Sequence, residues 1–183
     1  MKGGAILPSA QFLRLPAAKQ EKVTAALFRE FTSHSLADAQ VARIVKDAGI
    51  ARGAFYNYFT DLKDAYAYLF AHEMKQIHQS LLSNPKHQLS ATDHLRQTTN
   101  FLKSVNQQRL RQLLIFHYQT NAGLLRQNKD QQQWLPEQEE TPRQWAIKTL
   151  VHQAISEAIQ NPAVEEKVLQ KLKKSLVLLE GEG

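Results

Sequence analysis

The sequence predicts an all-α fold, and three features of it do so. Apolar residues recur at i, i+3, i+4 and i+7 along most of the chain, the spacing of helices with one buried face. The seven glycines and six prolines sit mostly at the joints between these segments. No alternation of apolar and polar residues runs long enough for a strand pair, and there is no internal repeat and no linker long enough to separate independent domains.

The elements come in order. Pro8 and Pro16 bracket an N-terminal arm, and Pro16 with Ala17, Ala18, Lys19 and Gln20 has the composition of a helix start, where proline is tolerated. Val23, Leu27 and Phe31 then step at i+4 toward an end near His34. Within Gln40–Phe59, QVARIVKDAGIARGAFYNYF, the residues Val41, Ile44, Val45 and Ala48 form an apolar stripe that stops at Gly49. A glycine there supplies the left-handed backbone of a sharp turn, and Ile50 after it is placed to plug the core. In the next short helix Phe55 and Phe59 are i, i+4 partners facing inward, which leaves Arg52, Ala54, Tyr56, Asn57 and Tyr58 on or beside the outward face. A helix, a glycine-cornered turn and a second short helix with outward Arg, Asn and Tyr is the outline of a helix-turn-helix DNA reader.

Asp61 and Asp64 are placed to start a long helix ending near Asn84-Pro85. A further helix starts at Ser90 or Thr92 and carries Leu95, Thr98, Phe101, Leu102 and Val105. Arg109 to Gln127 continues as a more apolar helix through Leu110, Leu113, Leu114, Phe116 and Tyr118. KDQQQWLPEQEET, residues 129–141, is polar and acidic around Trp134 and Pro136 and predicts a loop. Two terminal helices come next, one from Trp145 to Ile159 stopped by Asn161-Pro162, one from Val164 to Leu179 before Gly181. Their large apolar residues, Trp145, Leu150, Val151, Ile155, Ile159, Val168, Leu172, Leu176 and Leu179, are too many for two helices of a small subunit to hide on one side each. A helix-on-helix interface with a second copy is therefore expected there.

A chain of 183 residues with 43% apolar content suits one to two small globular domains. No apolar run approaches a membrane span, and MKGGAILPSAQFLRLP carries too short an apolar stretch for a secretory signal, so a soluble, cytoplasmic protein without a membrane partner is expected. With no cysteine, disulfides and thiolate metal sites are excluded. The net charge of +6 is shared between residues 1–63 and 64–130, each with an excess of four basic residues, while 131–183 has an excess of two acids. That balance is compatible with nucleic acid without establishing it. His72 and Glu73 lack the second histidine of a zinc helix, since position 76 is glutamine and His78 is turned away. No nucleophile motif, phosphate loop or acidic cluster is present, so neither an enzyme nor a metal or cofactor site is expected.

The stretch AGIARGAFYNYF, residues 48–59, resembles the helix-turn-helix signature of the tetracycline-repressor-type (TetR) family of bacterial transcriptional regulators, which runs Ala-Gly-apolar-Ser-x-Gly-Ser/Thr-apolar-Tyr-x-Tyr/His-Phe. The segment from Lys19 to Phe31 is similar to the family's first helix, and Asp61 to Leu69 to the start of its fourth. The resemblance is close over the first third of the chain and rests on length and helical character beyond it. The departures are Ala39 and Gln40, Ala51 and Ala54 where the family places small hydroxyl residues, and Leu62 where it places a lysine, with Lys63 one position later.

The resemblance implies a three-helix helix-turn-helix DNA-binding domain with its arm over residues 1–62, then a helical ligand-binding and dimerisation domain over 63–183. Its DNA-facing candidates are Gln40, Arg43, Arg52, Gly53, Ala54, Tyr56, Asn57, Tyr58 and Lys63. It implies a homodimeric, ligand-responsive repressor acting on a pseudo-palindromic double-stranded DNA operator, with a small-molecule effector of unknown identity. Phe101, His117, Tyr118 and Trp134 are the candidates to border the effector; equally, at helical spacing they are ordinary core. The other function class is a helical interaction protein that keeps the fold and has lost operator binding through those departures.

Overall fold

The computed structural model describes residues 8–81, 89–107, 110–126 and 141–181. Every regular element among them is helical, as the spacing predicts. The chain divides into two compact units, Met1–Met74 with Gln119–Leu135, and Lys75–Tyr118 with Pro136–Gly183. The first unit thus runs past residue 62 and takes in a returning segment.

The first unit opens with a short helix α1 (Ala10–Leu13) inside what the prolines mark as an arm; Ser9 caps it, its Oγ accepting the Phe12 N–H at 3.2 Å. Next come α2 (Ala17–Ser33), α3 (Val41–Ala48), α4 (Arg52–Tyr58) and the first part of α5 (Leu62–Leu81), which passes out of this unit after Met74. Pro16 is the residue preceding α2, and α2 stops at His34, both where the sequence puts them. Gly49 ends α3 with φ 65°, and the Ile50 N–H closes on the Val45 carbonyl at 3.0 Å. Ile50 is half-buried rather than a full plug. At the head of α5 the Asp61 carboxylate accepts the Asp64 N–H at 2.8 Å and the Asp64 carboxylate accepts the Thr60 N–H at 2.8 Å, so two groups that begin a helix without partners are satisfied. The core is aromatic. Phe12, Phe31, Phe55, Phe59 and Tyr66 are each at most 1% exposed, and full burial of one such ring stabilises by about 1.5–3 kcal/mol.

The returning segment contains an irregularity. The single helix expected over Arg109–Gln127 is α7 (Arg111–Phe116), a π turn (His117–Asn121) and α8 (Ala122–Arg126); Arg109 and Gln127 lie outside the described residues. The wider π turn changes the register of the residues beyond it. It presents Asn121 inward, fully buried, where its Oδ1 accepts the Leu36 N–H of the α2–α3 turn at 3.0 Å.

In the second unit α6 (Ala91–Gln107) begins with a reciprocal cap: the Ser90 Oγ accepts the Asp93 N–H at 3.1 Å and the Asp93 carboxylate accepts the Ser90 N–H at 3.2 Å. The Ala91 N–H is taken by the Glu180 carboxylate, at the far end of α10 (Glu165–Glu180). Thr141 and Gln144 form a capping box on α9 (Pro142–Gln160), with Pro142 in its first turn and Asn161-Pro162 ending it. The Arg111 guanidinium donates to the Ala158 carbonyl at 3.2 Å and to that of Ile159, which satisfies the end of α9. Asn84-Pro85, the expected end of α5, and residues 129–140 of the expected loop lie outside the described residues.

The terminal helices bury much of their apolar surface within the subunit itself. Ile155, Ile159, Val168, Leu172 and Leu176 are between 0% and 6% exposed within the single subunit. Val168, Leu172 and Leu176 pack with Ala91 and Ala154, and Leu150 and Val151 lie half-buried against them. The reason is α6, which packs on both terminal helices and covers the face that a two-helix reading leaves bare. What stays exposed is Trp145 at 62%, Val177 at 52% and Leu178 at 72%, with Leu179 half-buried.

Candidate nucleic-acid interface

The α3–α4 pair is held from behind by an ion pair that the sequence hides. Glu30 is one turn before the end of α2, on the stripe shared by Val23, Leu27 and Phe31, and is only 5% exposed. Its carboxylate accepts Arg43 Nε at 3.0 and 2.9 Å, Arg43 Nη2 at 2.6 Å, and the Gln40 N–H at 2.8 Å. Gln40 precedes α3 and makes no side-chain cap there; the buried carboxylate instead holds the Gln40 N–H, fixing the chain as it enters the helix. Burial alone would raise the Glu30 carboxyl, but the bonds from Arg43 and the Gln40 N–H, helped by the charges of Arg43 and His34, bring it below the ordinary carboxylate range. Arg43 also donates to the Asp38 carbonyl at 2.8 Å. Arg43 is thus a strut between α2 and α3, with its side chain still 37% exposed.

On α4 the outward face is real but smaller than the periodicity implies. Arg52, Gly53, Tyr56 and Asn57 are exposed, Ala54 is half-buried, and a Cβ on Gly53 would meet nothing within 4 Å. The Arg52 guanidinium lies 5.9 Å from the centre of the Tyr56 ring, a cation–π arrangement, with Nη2 at the 3.5 Å outer limit of a hydrogen bond to the phenol. This pairing stiffens two long side chains in one direction while leaving guanidinium donors free of any protein acceptor among the described contacts. Tyr58 faces inward, 6% exposed, with its ring 5.7 Å from Phe12. The physical reason is α1, which brings Phe12 against the end of α4 and covers the side that an isolated helix pair would leave open. Gln40 is exposed beside α3, and Lys63 is half-buried in the first turn of α5.

Three residues at this site escape the sequence reading. Glu30 left a signal, a carboxylate on an otherwise apolar stripe; Ser9 and Asn121 left none beyond their residue type. Asn121 is fully buried, with its carbonyl oxygen accepting from the Leu36 N–H and the Thr120 hydroxyl.

The effector candidates stand separately. Phe101 is 8% exposed; His117 and Tyr118 are half-buried neighbours with their rings edge-on at 5.6 Å, and burial pushes the Tyr118 phenol up to about 12. Trp134 lies outside the described residues. An open groove of about 620 Å³ in the second unit is lined by other residues, among them Leu95, Thr99, Pro162, Glu165, Leu169 and Lys173. Among the described residues no group of histidines and carboxylates could hold a metal ion, and no helix is long and apolar enough to cross a membrane.

Comparison with known proteins bears on this geometry. Residues 23–64, from the middle of α2 to the first turn of α5, match the family model of bacterial regulatory proteins, tetR family. No curated protein matches the chain in sequence. In structure the chain is similar to a TetR family transcriptional regulator from Chloroflexus aurantiacus J-10-fl, with TM-score 0.54 and 18% identity over 96% of this chain and 98% of that one. It is similar to the same degree, TM-score 0.54 and 18% identity, to a TetR transcriptional regulator from Rhodococcus sp. RHA1, over 88% of this chain and 94% of that one. At that identity the two likenesses speak for the fold.

Proposed function

We propose that this chain, whose residues 23–64 match the family model of bacterial regulatory proteins, tetR family, is a ligand-responsive repressor, working as a homodimer on a pseudo-palindromic operator in the cytoplasm. The observation that carries the reading is the exposed face of α4, where Arg52, Tyr56 and Asn57 are free to meet a major groove while Phe55, Tyr58 and Phe59 anchor the helix behind them. Arg52 and Asn57 supply the donors and acceptors suited to base edges; Gln40, Tyr56 and Lys63 are the candidates for phosphate contacts. Gly53 and Ala54 bring the backbone of the helix close to the groove. The missing hydroxyls at Ala51 and Ala54 leave fewer phosphate anchors, so base-edge contacts carry a larger share of affinity.

One seven-residue helix reads few base pairs. Two copies related by a twofold, with recognition helices about 34 Å apart, occupy successive major grooves. The exposed Trp145, Val177 and Leu178 support a helix-on-helix pairing of the terminal segments. An effector seated near Phe101, His117, Tyr118 and Trp134 would shift the DNA-competent population by its differential affinity for the two states, and aromatic walls suit a partly apolar compound. The protein then acts by binding alone, without catalysis. Selection of bound genomic fragments, followed by a screen for compounds that release them, tests the reading. A shared pseudo-palindrome among the fragments is expected; fragments with no common sequence would favour a helical interaction protein that kept the fold and lost its operator.

A further inference from the structure

We propose that α1 is a working part of the DNA-reading head and that Ser9 is a positioning residue for Asn57; the inference rests on α4 being the reading helix. A seven-residue helix is too short to hold its shape alone, and its last carbonyls have no partners within it. α4 has no side-chain cap at Ala51 and no basic residue in its last turn. Its exposed end is instead closed by Ser9, whose N–H donates to the Tyr58 carbonyl at 2.9 Å and whose hydroxyl donates to the Asn57 carbonyl at 2.5 Å. Ser9 is itself fixed, since the same oxygen accepts the Phe12 N–H.

Phe12 seats the clamp. Its ring is fully buried and lies 5.7 Å from Tyr58, 5.2 Å from Phe59 and 5.1 Å from Tyr68. The far side of α1 is tied to α2 by Gln20, whose amide donates to the Leu13 and Leu15 carbonyls at 3.2 and 2.8 Å. The end of α4 is thereby referred to α2 through a segment that lies outside the family-model match at 23–64. The carbonyl of Asn57 is held while its side chain projects, so the position of that amide in a groove depends on Ser9. Base-edge hydrogen bonds weaken steeply with small misalignment. Loss of the clamp therefore costs sequence discrimination before it costs general attraction to phosphate, which depends on net charge.

The test titrates full-length wild type, Ser9→Ala and Ser9→Thr with a labelled duplex carrying the selected operator and with a scrambled duplex of the same length, at one salt concentration, recording melting temperatures alongside. Ser9→Ala is expected to lower the ratio of operator to scrambled affinity about five- to tenfold, the scale of one lost cap, with scrambled affinity unchanged. Ser9→Thr keeps the hydroxyl and is expected to restore the ratio. An unchanged ratio in Ser9→Ala overturns the proposal. A wild type that does not distinguish the two duplexes overturns the DNA-reading premise along with it, and that failure is seen before any variant is made. If Ser9→Ala melts early, hydrogen exchange on the wild type decides: the Ser9 amide is expected to slow on operator binding but not on scrambled DNA, and equal rates in both complexes overturn the role.

Discussion

Replacing Glu30 by glutamine removes one charge and keeps the shape, which isolates what the buried carboxylate does. In the wild type that carboxylate receives two Arg43 nitrogens and the Gln40 N–H, and it is 5% exposed. The substituted side chain could still accept the Gln40 N–H through its carbonyl oxygen, but its NH2 would have to turn toward a guanidinium that also only donates. Breaking a fully buried ion pair from one side costs about 3–5 kcal/mol. The Arg43 side chain is 37% exposed and can recover water, so the cost is discounted to about 2–3 kcal/mol. For a chain of this length that corresponds to a loss of about 4–12 °C in melting temperature. Thermal unfolding followed by circular dichroism is the assay, repeated across pH. Because the folded Glu30 carboxyl lies below its ordinary value, its contribution is fully present above about pH 4.3 and disappears as pH falls through the folded value. The gap between wild type and Glu30→Gln should thus hold from neutral pH to about 4.3 and narrow as pH falls below it. Equal melting temperatures at neutral pH would refute the strut, and a gap that widens in acid would refute its electrostatic origin.

Other substitutions separate reading from folding. Arg52→Ala and Asn57→Ala should each leave melting unchanged and cost about 1–3 kcal/mol in binding, confined to particular operator positions in a base-by-base affinity profile. Gly49→Val forces a β-branched residue to φ 65° and should lower melting temperature and operator binding together, since nothing else crowds the site. Leu172→Asp places a carboxylate in the subunit's own core and should unfold the second unit. By contrast Trp145→Glu and Leu178→Asp change exposed residues, so each should keep the subunit's helical content while moving sedimentation at micromolar concentration from dimer to monomer, with melting lowered only by the lost association. A dimer retained in both variants would place the interface elsewhere.

The helix-turn-helix was legible because its determinants are local. Gly49 needs a backbone that only glycine takes easily, and the Phe55–Phe59 spacing can serve only one face of a short helix. Tyr58 was not legible, because what covers it is Phe12, 46 positions away in sequence, on a four-residue helix too short to show a period. Burial on the terminal helices was not legible for a similar reason: counting apolar residues on α9 and α10 says nothing of α6, which supplies a third partner for Val168, Leu172 and Leu176. Arg43 shows the limit of reading charge from sequence. An arginine beside a DNA-reading turn has the right chemistry for phosphate, yet a carboxylate 13 residues earlier on another helix also pairs with it. The π turn leaves no mark in the apolar pattern, since Leu110, Leu113 and Leu114 precede it and only the burial of Asn121 reveals the changed register.

The most direct measurement is the stoichiometry and salt dependence of wild-type binding to a selected operator and to its isolated half-site. Two copies per operator are expected, with affinity far above that for one half-site, a logarithmic affinity that falls linearly with the logarithm of salt, and loss of the operator preference in Arg52→Ala combined with Asn57→Ala. One copy binding the half-site as tightly as the full operator would contradict the twofold reading, and a preference that survives the double substitution would contradict α4 as the reader.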